Sequence, residues 1–456
     1  MNAITLCILG YVALQLFVGA WVSRRVKTED DYMVAGRRLG YTLCIFTTFA
    51  TWFGAETCIG AAGAIYERGL GAGSADPFGY ALCLLFMGLV FAVPLWRRRL
   101  TTVADAFRQR FSPGVERFVV LLMVPTSLLW ASAQVRAFGQ VLSSSSGLDH
   151  EITISIAAGV VIVYTMSGGL LADAWTDLVQ GVALAVGLAV LLVGVWVQGG
   201  SELAARIRPE QLQLFGGEAT LLDHIETWSI PICGSVLAGE LVSRVLAARS
   251  PQVAQRSTLV AAGLYLAFGL IPVFVGLVGA QVVPDLAQPE QILPAVAQRF
   301  LPTLWYAVFA GALVSAILST VDSSLLVAAS LVSHNLVSPL RPSLSDRGRV
   351  RLARAGVAVF GILSYFLALH AEGVLALVEA ASAFGSAGIF VSLLLGLFTP
   401  LGSAGAAHAA LAGGAGAWIA GAYVLDLEHP YLTSLGVALV GYLVVAWLVP
   451  VRARGR

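Results

Sequence analysis

Residues Ser315 to Asn335 read SAILSTVDSSLLVAASLVSHN. Ala316, Ser319, Thr320 and Ser323 are spaced i, i+3, i+4, i+7, so on a helix they form one stripe, with Asp322 beside it. The stretch lies in the apolar run Leu304 to Val332, long enough to cross ~30 Å of hydrocarbon at about 1.5 Å per residue. Hydroxyls on such a stripe are often glue between helices, or bond back to the preceding turn. Asp322 changes that balance, because a carboxylate inside hydrocarbon costs several kcal/mol unless it faces a partner, water or an ion. Hydroxyl, carbonyl and carboxylate oxygens are the donors a hard cation such as sodium prefers.

Outward from this run the whole chain is of the same kind. Of 456 residues 58% are AVILMFWYC and 12% are DEKR, and the mean hydropathy is +0.84; soluble domains run near a quarter charged. A soluble enzyme is excluded, and an all-α polytopic membrane protein is implied. Thirteen runs read as spans: Ile4 to Val22, Tyr41 to Ala62, Phe78 to Trp96, Phe118 to Val141, Ile152 to Met166, Leu178 to Gln198, Trp228 to Ala248, Leu259 to Val283, Leu304 to Val332, Ala353 to Leu369, Val374 to Phe398, Ala404 to Leu425 and Tyr431 to Val449. The first run is followed by Arg24 and Arg25 and preceded by no basic residue, the reverse of a signal peptide's charge order.

Basic residues divide unequally between alternate loops. One set holds Arg24, Arg25, Lys27, Arg37, Arg38, Arg97, Arg98, Arg99, Arg108, Arg110, Arg249, Arg256, Arg341, Arg347, Arg349, Arg351 and the tail Arg452, Arg454 and Arg456; the other holds Arg68, Arg206, Arg208 and Arg299. The positive-inside rule then places the amino terminus outside and the carboxyl terminus in the cytoplasm of a multi-pass cell-membrane protein. No loop is long enough for a separate domain, so residues 1–456 form one transmembrane domain and all function sits in the bundle. Lys27 is the single lysine and net charge is +1, which leaves no surface for nucleic acid. The five cysteines, Cys7, Cys44, Cys58, Cys83 and Cys233, have no metal-type spacing and read as small core residues. The six histidines are scattered, with His334 and His370 at span ends, where an interfacial position is expected.

Two spans carry helix-breaking residues. The second has Gly54, Gly60 and Gly63, and the seventh has Pro231 and Gly234. They are five spans apart and therefore opposite in direction, as the first helices of two inverted five-helix repeats would be. Glycines placed for close packing would leave the same trace.

Three stretches, Ala50 to Gly69 (ATWFGAETCIGAAGAIYERG), Tyr164 to Gly181 (YTMSGGLLADAWTDLVQG) and Ser315 to Asn335, together resemble the sodium:solute symporter family. Supporting pieces are Gly239 to Pro251 (GELVSRVLAARSP), Pro289 to Pro302 (PEQILPAVAQRFLP) and Phe384 to Pro400 (FGSAGIFVSLLLGLFTP). The resemblance runs from about Tyr32 to about Leu401 and implies a LeuT-like fold. In it an extra helix at residues 4–22 precedes repeat one (41–198) and repeat two (228–398), and two extra helices lie within 404–449. It implies Na+ as the coupling ion, with no organic cofactor, a small-molecule solute, the lipid bilayer as surroundings and no obligate protein partner. Carried over residue by residue, the shared sodium site falls on the main-chain carbonyls of Ala50, Phe53 and Ala316 and the hydroxyls of Ser319 and Thr320. A second sodium, which some members hold, would fall on Asp177, Ser319, Asp322 and Ser323. Solute contacts are implied near Glu56, Thr57 and Asp76 and at the Pro231 to Gly234 break.

Beside the resemblance the residues leave alternatives open. Asp177 is compatible with a helix cap, an ion-exit role or coordination, and Asp173 with a solvated loop charge. Arg136, next to Gln134 on the fourth span, suits a solute carboxylate, a snorkelling surface position, or a pair with Asp76 or Glu56. Glu240 and Arg244 suit a pair across one turn. The expected function is sodium-coupled symport of a small polar solute by alternating access. The rivals are a proton-coupled symporter on the same fold, favoured if Asp322 titrates, and a membrane sensor or channel-like bundle.

Overall fold

The computed structural model describes residues 3–215, 220–371 and 373–449; Arg452, Arg454 and Arg456 lie outside them. Among the described residues every named element is helical, and Leu39 with Ala248 forms an isolated bridge. Among the described residues nine helices are long and apolar enough to cross a membrane, and up to eleven when each of two bent pairs counts as one span. Of the other runs expected to span, Ile152 to Met166 falls in the shorter apolar helix His150–Met166. Ala404 to Leu425 falls in Ala404–Tyr423, a helix rich in alanine and glycine.

Both bent pairs lie where the breaker residues are. Tyr41–Trp52 and Glu56–Arg68 meet at 48°, and Leu221–Gly234 and Gly239–Ala247 at 42°. In the first pair the chain leaves the helix at Phe53, with φ −95° and ψ 79°. Gly54 is required there by contact: a Cβ would come within 2.5 Å of Glu56 Oε2 and 2.8 Å of Thr320 Oγ1. Gly60 and Gly63 stay within the helix and admit close neighbours instead, Leu375 and the backbone of Pro289 and Glu290. The two meanings of a membrane glycine thus occur within three turns of the same span.

The sixth span begins earlier than expected. The helix His150–Val195 is interrupted at Gly169, whose φ of 61° and ψ of −179° let the chain turn within one residue. A Cβ there would meet the Tyr32 ring at 2.5 Å. Helix therefore resumes well before Leu178, and Asp173 and Asp177 lie inside it, one turn apart, rather than in a loop. The cap at Asp177 is not formed, and Asp173, 6% exposed, is no solvated charge.

The helix Thr303–Ser330 is the axis of the bundle, with every residue from Ala312 to Ser330 buried. It packs against Pro113–Ser146, His150–Val195 and Asp346–His370, which also pack on one another. Pro251–Val282 packs on Tyr41–Trp52 and Tyr80–Phe86. The hydroxyl stripe thus faces the broken second span across the middle of the molecule.

One end of the bundle is closed by a polar network. His334 Nδ1 lies 2.9 Å from Glu29 Oε1, Arg349 donates to Glu29 Oε2 at 2.7 Å, and Asn335 donates to Asp105 and Glu116, both at 2.8 Å. His334, at its span end, is held among acids from neighbouring segments. Burial raises the pKa of Glu29, but His334 and Arg349 outweigh it and hold the carboxyl below its usual range. Cys44, Cys58 and Cys83 are buried and Cys233 is half-buried, whereas Cys7 is exposed on the peripheral first helix and is not a core residue.

Candidate functional site

The stripe of the Thr303–Ser330 helix meets the carbonyls released by the broken second span. Ser319 donates its hydroxyl to the Ala50 carbonyl and lies 3.3 Å from that of Ala316. Thr320 donates to the carbonyls of Thr51 (2.9 Å) and Ala316 (3.1 Å). Ala50, Thr51, Ala316, Ser319 and Thr320 are all buried. Their oxygens thus form one neutral knot between two helices, to which Thr51 contributes a carbonyl that spacing did not suggest. Phe53 is fully buried, its ring 5.3 Å from that of Tyr265 and 5.4 Å from that of Phe49.

One turn further along lies an acidic cluster. Ligand oxygens of Asp173, Asp177 and Asp322 fall within 4.8 Å of one another, and Asp322 accepts from the Ser323 amide at 2.8 Å. Of the expected group, Asp177, Asp322 and Ser323 are brought together here, in company, while the Ser319 hydroxyl stays in the knot. Arg244, 1% exposed, donates to Asp173 and Ser323 and lies 3.4 Å from Asp177 Oδ2. Asp177 also accepts from the hydroxyls of Thr47 and, at 3.3 Å, Thr51. The expected side-chain pair of Glu240 with Arg244 is not formed: Glu240 accepts from Ser127 at 2.8 Å, and only its main-chain carbonyl lies near Arg244, at 3.4 Å. The cluster thus contains a cation of its own, one that cannot be deprotonated.

On the other side of the break are two more carboxylates. Glu56, 1% exposed, accepts from the Gly54 amide (3.1 Å) and from Gln134 Nε2 (2.9 Å), while Gln134 Oε1 accepts from the Ala55 amide (3.0 Å). Asp76, 3% exposed, accepts from Thr57 and from Tyr265, both at 2.8 Å. All these donors are neutral, and among the described residues neither acid forms an ion pair. Both line one cavity together with Tyr80, Glu226, Pro231 and Glu379. Gly234 lies in the wall of a second, smaller cavity, with Trp130 and Ser382.

Three rings stand next to these acids. The centroids of Trp52, Tyr80 and Trp130 are 6.2 Å apart in every pairing. Trp130 is one turn before Gln134 on the same helix, and Trp52 is the last helical residue before the break. Trp52 Nε1 is buried without a partner among the described residues. The arginines that lie over rings, Arg25, Arg99 and Arg110, do so elsewhere, on Trp21, Trp96 and Phe111.

Arg136 is not brought to this site. Its guanidinium donates to the Ala368 carbonyl at 3.1 Å, and it pairs with neither Asp76 nor Glu56. Two residues along a helix turn a side chain through about 200°, so Gln134 and Arg136 face opposite ways. Tyr265, Arg244 and the three rings are what residue-by-residue reading missed. For Arg244 a signal existed, since a charge inside a span demands a partner; an aromatic residue in an apolar helix carries none.

A model of the sodium:solute symporter family matches residues 32–413. The high-affinity choline transporter 1 of Caenorhabditis elegans is 28% identical over 407 residues, 80% of this chain and 70% of that protein. The high-affinity proline transporter PutP of Bacillus subtilis is 26% identical over 407 residues, covering 84% of each chain. Among solved structures, a Na+-coupled sialic acid symporter superposes with a TM-score of 0.87 at 21% identity over 98% of both chains.

Proposed function

Because the chain belongs to the sodium:solute symporter family, and is a transporter rather than an enzyme, we propose that it carries a small organic cation into the cell with sodium. A quaternary ammonium of the kind the choline-transporter relatives are named for is the solute type. The observation that carries this reading is the pair Glu56 and Asp76, two buried carboxylates met only by neutral donors at the wall of a large cavity. A buried charge without a counter-charge costs several kcal/mol, and a cationic solute supplies one. Tyr80, a wall residue of that cavity with Trp52 and Trp130 packed on its ring, adds about 0.5–2 kcal/mol of cation–π attraction per good contact.

The knot of hydroxyls and carbonyls fits a sodium ion, since every group in it is a hard oxygen donor and none is charged. Ala50, Ala316, Ser319 and Thr320, with Thr51 and Phe53, are the residues that would hold it. The two hydroxyls now spent on carbonyls would turn and offer lone pairs instead. A bound sodium supplies a positive charge that joins the broken second span to the ninth. In the acidic cluster Arg244 already pairs with two of the three carboxylates, and the coupling sodium is assigned to the hydroxyl knot, where among the described residues no cation stands. Thirteen spans in two inverted repeats, an outside amino terminus and alternating access about the two bends complete the reading.

Uptake by proteoliposomes tests it. A radiolabelled quaternary ammonium should accumulate on an inward sodium gradient, and not on an equal potassium gradient. Accumulation that follows a proton gradient and ignores sodium would favour the proton-coupled rival. Uptake of a zwitterion with no response to the quaternary ammonium would remove the solute assignment.

A further inference from the structure

Glu56 and Asp76 are not equivalent, and their difference points to a division of labour. The Glu56 carboxylate folds back over Gly54: both of its oxygens and the Thr320 hydroxyl lie within 3 Å of the point a Gly54 Cβ would occupy. Its charge therefore stands directly beside the hydroxyl knot. Asp76 is tied instead to Thr57 and Tyr265, and no contact of its own reaches the stripe.

The knot needs such a neighbour. Its oxygens are neutral, and a monovalent ion in a neutral cage is held more firmly when a free negative charge stands close by. Asp177 is also near, through Thr51, but it has the Arg244 guanidinium 3.4 Å from its Oδ2 and the Thr47 hydroxyl donating to it. Glu56 is the adjacent carboxylate without a cation. We propose that Glu56 is the counter-charge of the coupling sodium and Asp76 that of the cationic solute, so that each cation meets a carboxylate of its own. This rests on the organic-cation reading only in its second half. Two positive charges sharing one carboxylate would compete, and symport requires that they enter together. Two carboxylates remove that conflict, and the bonds of Gly54 and Gln134 to Glu56 hold the sodium's partner in place whether or not solute is present.

The test is a sodium titration of purified full-length protein without solute, read by tryptophan fluorescence and by thermal shift, followed by solute binding at saturating sodium. Glu56→Gln keeps the shape and should weaken sodium binding at least tenfold; Glu56→Asp, which keeps the charge, should recover part of that loss. Asp76→Asn should leave sodium binding within threefold of wild type and weaken binding of the quaternary ammonium at least tenfold. Glu56→Gln should also raise the melting temperature in the absence of sodium, since it removes an unpaired buried charge, and that readout does not depend on transport. Sodium binding by folded Glu56→Gln within threefold of wild type would overturn the assignment, as would an equal loss in Asp76→Asn. If Glu56→Gln does not fold, Glu56→Asp decides: sodium binding indistinguishable from wild type overturns the proposal. Unchanged solute binding in Asp76→Asn with the Glu56 result intact would overturn the organic-cation reading and leave the sodium half standing.

Discussion

Gly54→Ala puts a methyl group between the two halves of the site. It would lie 2.5 and 2.8 Å from the Glu56 carboxylate oxygens and 2.8 Å from the Thr320 hydroxyl, where ordinary contact begins at 3.4 Å. Thr320 sits on the most buried helix of the bundle and has nowhere to retreat. Glu56 must therefore swing away, and the direction open to it is the cavity it lines, assigned to the solute. In doing so it gives up the bonds from the Gly54 amide at 3.1 Å and from Gln134 at 2.9 Å. Hydrogen bonds to a charged group are worth about 1.5–3 kcal/mol each, so the lower end for both gives about 3 kcal/mol. At about 1.4 kcal/mol per decade this is a loss of ~100-fold, expected in sodium and solute affinity together. Sodium titration of the solute-free protein and saturation uptake in proteoliposomes measure the two, with the amount of protein reconstituted as the control. Normal reconstitution with both affinities within threefold of wild type would refute the placement of Glu56 between the two ligands.

Thr320→Ala and Ser319→Ala each remove one oxygen from the knot and should each raise the sodium concentration for half-maximal uptake about tenfold, a loss of ~1.4 kcal/mol; unchanged sodium dependence in both argues against the site. Trp130→Ala should weaken binding of a quaternary ammonium by about 3- to 30-fold, the range of one cation–π contact, and leave its uncharged carbon isostere nearly unaffected; equal losses for both would reduce the ring to mere packing. Arg244→Met leaves Asp173 and Asp177 without their cation and should destabilise the protein by about 3–5 kcal/mol, seen as a lower melting temperature, whereas the double variant Asp173→Leu, Arg244→Met should recover part of it. The depressed pKa of Glu29 means that its contribution is fully present above about pH 4.5 and is lost as pH falls through the lower folded-state value. The stability difference between wild type and Glu29→Gln should accordingly be constant from neutral pH to about pH 5 and shrink below pH 4.5; a difference that persists at the acid end would separate Glu29 from the closing network.

What residue order alone determines about this protein is whatever a single helix in hydrocarbon reveals. Runs of apolar residues measure the bilayer, the spacing of Ser319, Thr320 and Ser323 puts three hydroxyls on one face, and Gly54, Pro231 and Gly234 mark where a helix can give way. These are local properties, set by backbone geometry over a few turns. Partnership between spans is not local. Asp173 and Arg244 are 71 residues apart, Asp76 and Tyr265 are 189 apart, and Ser319 is 269 residues from the Ala50 carbonyl it meets. Which carboxylate acquires a cation depends on how each helix is rotated about its axis and packed on its neighbours. A turn of about 100° exchanges one face for another without altering hydropathy. That is why Asp173 read as a loop charge and is a buried ion-pair partner, and why Arg136 read as a solute contact and bonds to Ala368. The tertiary structure alone decided that Asp177 lies in a cluster containing an arginine while Glu56 and Asp76 face the cavity with their charges unmatched.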